Sequence, residues 1–216
     1  MNLSMKCMKL DYLLLKPYLK SMLLVLLVPL LITFFTGTLF EGLSFAATVM
    51  AMTTGYTFSV VEKNSMERFY GFLPAKKSAL VAGRYLIIFA MGFLALLVTL
   101  GVQAVILRFK NTALTLPEIL GTFLLCAILF CIYAGVQIPG YYRFGSNKGK
   151  MFMVVPTVGF LLFYYIVRLL MGDANSFDLG FLQNSALPLL GGVGAMALVI
   201  VLSVTASIQI VQKKRA

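Results

Sequence analysis

The side chains best placed to act on another molecule lie in one stretch, Val60 to Leu86. It holds seven of the 25 charged side chains: Glu62, Lys63, Glu67, Arg68, Lys76, Lys77 and Arg84. Met66, Phe69, Tyr70 and Leu73 fall at i, i+3, i+4 and i+7, which places them along one face of a short helix. Asn64, followed three residues later by Glu67, reads as a capping box that satisfies backbone N–H groups of the first turn. Gly71 and Pro74 stop that helix, because proline has no N–H and clashes with the preceding turn. Ser78 can cap the helix that follows. An apolar stripe framed by charges of both signs supports recognition chemistry: it fits a groove on a partner. A solvated loop is the competing reading of the same pattern.

Bond-making chemistry has little to work with. Histidine is absent, which removes His-dependent triads, His-Glu-x-x-His zinc sites and haem ligation by histidine. Cys7, Cys126 and Cys131 are odd in number and lack metal-ligand spacing; they read as free buried thiols. The GSNKGK run has neither the spacing nor the Ser/Thr of a phosphate-binding Walker loop. No pair of carboxylates sits inside an apolar run, as a proton relay or intramembrane acid–base pair requires. The chain therefore carries no catalytic, cofactor or metal site that the sequence reveals.

Composition says where this happens. The 216 residues are 61% hydrophobic and 12% charged, with mean hydropathy +0.97, against about a quarter charged in a soluble domain. Spans of about 20 residues each allow five to seven membrane crossings, and six apolar runs stand out. They are approximately 21–39, 43–61, 85–107, 119–138, 151–171 and 186–211. Turns are expected at Phe40–Gly42, at Arg108–Glu118, after Pro139–Gly140, and across 172–185. The solvated loop at 60–86 then becomes one that lies on lipid headgroups. The net charge of +11 could suggest nucleic acid, but the basic residues are dealt out between apolar runs. With six spans, fifteen of the eighteen Lys and Arg fall on the side of both termini; Arg108, Lys110 and Arg168 fall on the other. The positive-inside rule then makes both termini cytoplasmic and excludes a nucleic-acid role. The expected fold is an all-α integral membrane protein, one domain over 1–216, with a short cytoplasmic helix between the second and third spans.

Residues 1–20 set Lys6, Lys9, Lys16 and Lys20 against a single Asp11, with leucines between, as in an amphipathic segment at the inner membrane surface. A signal peptide cleaved near SFAA, 44–47, is the alternative, disfavoured by the length of the apolar run. Ala47, Ala51 and Gly55 form a small-xxx-small stripe that lets another helix approach, from this chain or a second copy. Gln103 and Gln137 fit interhelical hydrogen bonds, and Arg168 fits a structural role, snorkelling outward or pairing with Asp173.

Two stretches resemble small permease subunits of bacterial type-2 ABC transporters. In the first, Phe58 to Leu86, the matching residues are Glu62-Lys63, Leu73-Pro74, Lys76-Lys77 and Arg84-Tyr85. In the second they are Pro139, Phe144-Gly145 and Lys148-Gly149. The resemblance implies a permease in the bacterial cytoplasmic membrane that pairs with a second copy or a paralogue. A separate cytoplasmic ATPase, carrying ATP and Mg, docks on the helix of the first stretch. Coupling would then fall to Glu62, Lys63, Met66, Arg68, Phe69, Tyr70, Leu73, Pro74, Lys76 and Lys77. Transport is expected to be export, with antimicrobial or amphipathic peptides or small amphiphiles as cargo. Polysaccharide is disfavoured, because 172–185 is too short for an outer domain. Two other classes stay open: a non-catalytic accessory or immunity protein of the membrane, and, disfavoured by the missing histidines, a membrane-embedded enzyme.

Overall fold

The computed structural model describes residues 3–64, 66, 76–112, 114–171 and 187–213. Every regular element among them is helical. In chain order they are α1 (Leu3–Leu15), a 3-10 turn (Lys16–Tyr18), α2 (Leu19–Val25), α3 (Leu27–Thr36) and α4 (Leu39–Lys63). They continue with α5 (Lys77–Phe109), α6 (Leu116–Gly149), a 3-10 turn (Lys150–Met153), α7 (Val154–Met171) and α8 (Leu187–Lys213).

Four helical runs among the described residues are long and apolar enough to cross a membrane: Ser4–Thr36, Lys77–Phe109, Leu116–Ser146 and Gly191–Lys213. The expected second span is α4, 25 residues or about 37 Å at 1.5 Å per residue. It is long enough but not in that set, because it carries Ser44, Thr48, Thr53, Thr54 and Thr57. Those hydroxyls are buried, since α4 is the centre of the bundle, packed on α3, α5, α6 and α7. Shielded by its neighbours, it has less need of apolar side chains than the helices around it. The fifth expected span corresponds to the 3-10 turn and α7, where the apolar helical stretch Lys150–Leu162 is shorter.

Several boundaries differ from the sequence reading, each for a local reason. The first turn is not at Phe40–Gly42 but at Gly37–Thr38, where Gly37 takes the left-handed conformation (φ 72°) and donates to Thr33 O at 2.9 Å. Gly42 serves packing instead: a Cβ there would lie 1.8 Å from Thr33 Oγ1. Ser78 does not cap α5; the extended Lys76 precedes it, and Ser78 sits in its first turn. At the start of α6 Thr115 accepts from Glu118 N at 3.4 Å, with a proline in the first turn, so the helix begins at Leu116 rather than Ile119.

Pro139 does not end α6, which runs on to Gly145, where φ 76° and ψ 175° break it. Proline removes the bond to the carbonyl four residues back, here Gly135. That carbonyl accepts from Ser203 Oγ of α8 at 2.7 Å, so the orphaned group is satisfied by a different helix. Because Ser203 spends its proton there, Tyr85 donates to Ser203 (2.5 Å) and accepts from Ser207 (2.8 Å). A relay of hydroxyls thus joins α5, α6 and α8. Ser203→Ala is expected to lower stability by about 1–2 kcal/mol, since it strands the Gly135 carbonyl and removes one of the two partners of the tyrosine hydroxyl. Ser207→Ala should cost less than half as much; thermal unfolding in detergent compares them.

The N-terminal segment is not laid out by itself. Cys7, Asp11 and Leu15 are buried at a spacing of four, and α1 packs on α5 and α4. The run from α1 to α3 then follows α5 in parallel. Gly83 meets Ser4 and Cys7, Gln103 Nε2 lies 3.5 Å from Pro29 O, and Lys110 Nζ reaches Phe34 O.

Candidate functional site

The stretch singled out by its charges is bounded by the ends of α4 and α5. Glu62 and Lys63 close α4, exposed, and Asn64 follows as its C-terminal cap. Asn64 N and Nδ2 both donate to Val60 O, at 3.1 and 2.8 Å, so Asn64 finishes the preceding helix; the capping box with Glu67 lies outside the described residues. Met66 is helical and half-buried. Arg68, Phe69, Tyr70, Leu73 and Pro74, with Glu67 of the capping box, lie outside the described residues. Lys76 stands exposed at the start of α5 and Lys77 is its first residue.

Close to these ends of α4 and α5, the helices are tied by a cation. Arg84, eight residues into α5, is 8% exposed, and its Nε lies 3.5 Å from Asp11 Oδ2, a carboxylate residue only 3% exposed. Its guanidinium sits over the Phe58 ring of α4 at 5.0 Å and near the Tyr142 ring of α6 at 5.7 Å. Arginine suits this place because a planar cation can pair with a carboxylate while stacking on aromatic faces. Four helices, α1, α4, α5 and α6, therefore converge on a single side chain. Phe58 stacks on Tyr141 (5.0 Å, 16°) and meets Tyr142 edge-on (5.1 Å, 90°). Gly83 lets α1 come this close: a Cβ there would fall 2.8 Å from Ser4 O and 2.9 Å from Cys7 Cβ.

A second tie runs from α4 to the turn after α6. Glu62 Oε2 accepts from Ser146 N at 2.8 Å, just beyond Gly145. The chain then doubles back on α6, where Gln137 Nε2 donates to Phe152 O at 2.8 Å. Gln103 and Gln137 thus both bond between helical elements, as their positions suggested. Of the small-residue stripe, Ala47 and Ala51 are fully buried, and a Cβ on Gly55 would lie 2.5 Å from the Tyr141 hydroxyl. At Gly55, then, the close approach is to α6 of the same chain. The side chain of Arg168 lies outside the described residues.

Chemically, this junction holds helices together through an ion pair and cation–aromatic contacts. Among the described residues no group of three His, Cys, Asp or Glu could hold a metal. Cys7, Cys126 and Cys131 are free and buried. Sequence reasoning missed the Asp11–Arg84 pair. The signal was present: Asp11 is the lone acid among four lysines and falls on the same helix face as Cys7 and Leu15.

Compared with known proteins, residues 8–212 match the family model described as ABC-2 family transporter protein. No curated protein and no solved structure matches the chain.

Proposed function

Because the chain belongs to the ABC-2 transporter family and is thereby a membrane permease of an ABC transporter, we propose that it is the six-span permease subunit of an ATP-driven exporter. The family match, over nearly the whole chain, carries this reading. Both termini and the 64–76 segment face the cytoplasm, as the distribution of Lys and Arg supports. There Met66, Phe69, Tyr70 and Leu73 dock in a groove of the partner ATPase, with Arg68, Lys76 and Lys77 framing the contact. ATP and Mg are held by that partner. Two permease copies, or this chain and a paralogue, form the membrane part, and the cargo is an amphipathic or antimicrobial peptide or a small amphiphile.

The geometry under the segment supports the coupling role. Its flanking helices meet at Arg84, so a push on 64–76 reaches α1 and α6 as well as α4 and α5. Co-purification with the ATPase tests the reading. The wild-type chain is expected to form a complex of two permeases and two ATPases with transport-linked ATP turnover. Tyr70→Asp should leave the chain in the membrane and lower coupled transport at least about tenfold, because it sets a charge in an apolar contact. A mutant that transports normally refutes the docking assignment; a wild-type chain that binds no ATPase refutes the permease reading.

A further inference from the structure

We infer that Glu62 is a positioning residue, whose carboxylate carries movement of the 64–76 segment to the turn after Gly145 and so into α7. The inference rests on the permease reading above and takes Glu62 out of the surface that touches the ATPase. Three observations support it.

First, the carboxylate is engaged within the chain. Oε2 accepts from Ser146 N at 2.8 Å, a charge-assisted bond to the first N–H past the break in α6. An N–H just past such a break has no helical carbonyl four residues back to bond, and the carboxylate supplies its acceptor. Second, the turn is rigidly specified. Gly145 has φ 76° and ψ 175°, a conformation essentially confined to glycine, so the chain reverses at one point rather than along a slack loop. Third, the reversed segment is clamped on what lies beside it. Phe152 O is held by Gln137, and a Cβ on Gly149 would fall 2.4 Å from the Tyr141 ring, the same ring that fills the space at Gly55 of α4.

Glu62 is the next-to-last residue of α4, where the chain leaves for 64–76. A displacement of that point therefore has two outlets. One runs through Phe58 and Arg84 to α5 and α1. The other runs through Glu62 and Ser146 to the 146–153 segment, which leads directly into α7. Each of the two stretches that bear the family resemblance supplies one partner of the bond.

Hydrogen exchange on the permease–ATPase complex in nanodiscs, with and without a non-hydrolysable ATP analogue, tests this. In the wild type the analogue is expected to change exchange at both 77–83 and 146–156. Glu62→Ala should keep assembly and the response at 77–83, while the response at 146–156 falls at least about fivefold. In the ATPase-free chain, the same variant should exchange 146–149 about tenfold faster. Glu62→Gln keeps an acceptor oxygen and should restore most of the response. Ser146→Pro, which removes the N–H at a helix start where proline fits, should reproduce Glu62→Ala.

An undiminished response at 146–156 in an assembled Glu62→Ala complex overturns the inference. So does an equal loss at both segments, or a loss of assembly, which would return Glu62 to the ATPase contact. If the wild type never binds the ATPase, the permease reading falls and takes the inference with it, whatever the exchange at 146–149.

Discussion

Replacing Arg84 with methionine is expected to destabilise the chain by about 3–5 kcal/mol, the range for removing one partner of a buried ion pair. The mutation deprives Asp11, 3% exposed, of the guanidinium 3.5 Å away. It also removes the cation from over Phe58 and Tyr142. The expected result is a chain that is largely lost from the membrane fraction or aggregates in detergent. Arg84→Lys should fall between wild type and Arg84→Met, because an ammonium keeps the charge but not the planar stacking surface. The decisive variant is Asp11→Leu combined with Arg84→Met. With both charges gone the Asp11–Arg84 ion pair is replaced by apolar groups, and the double variant should recover most of the lost stability while coupling stays impaired. Thermal unfolding of the four proteins measures this. A double variant no more stable than Arg84→Met would mean that the packing of the arginine stem, not the ion pair, is what matters.

The second large effect is expected at Gly83. A Cβ there meets Ser4 O at 2.8 Å and Cys7 Cβ at 2.9 Å, and the first of these is backbone, which cannot swing aside. Gly83→Val should force α1 off α5 and cost about 1–3 kcal/mol in overpacking. The readout is Cys7, 7% exposed and free. Its labelling by a maleimide should speed up at least about tenfold as α1 separates. Gly101→Val on the same helix is the control, since a Cβ there has nothing within 4 Å. Equal labelling in the two variants would show that α1 is not held by this contact.

What the sequence made legible follows from which forces are local. Apolar runs are local, so a helix covers most of each run while its ends differ, and four of the described helical runs are long and apolar enough to cross a membrane. Gln103 and Gln137 could likewise be recognised as groups needing partners. Turns were less legible, because the same residue type serves two ends. Gly37 and Gly42 both look like turn formers, and only the position of Thr33 in space shows that one bends the chain while the other makes room. Pro139 reads as a stop because the residue that relieves its carbonyl, Ser203, belongs to a helix far along the sequence. The site divides in the same way. The charged stretch at 60–86 was visible as a pattern, with the Arg68–Pro74 part outside the described residues. The junction below it was hidden, because Asp11 and Arg84 meet only once α1 lies along α5.

That meeting has a consequence for how the protein is made. Asp11 and Arg84 are 73 residues apart, and ribosomes add roughly 5–20 residues per second. For roughly 4 to 15 seconds after Asp11 is synthesised, its guanidinium partner does not yet exist. During that interval the cations nearest to it in sequence are Lys6, Lys9, Lys16 and Lys20, and Lys63, Arg68, Lys76 and Lys77 also precede Arg84. The helix that carries Asp11 thus precedes α5 in synthesis and can take its final seat only when α5 arrives. Assembly of this chain therefore includes a waiting state that ends when a single arginine arrives.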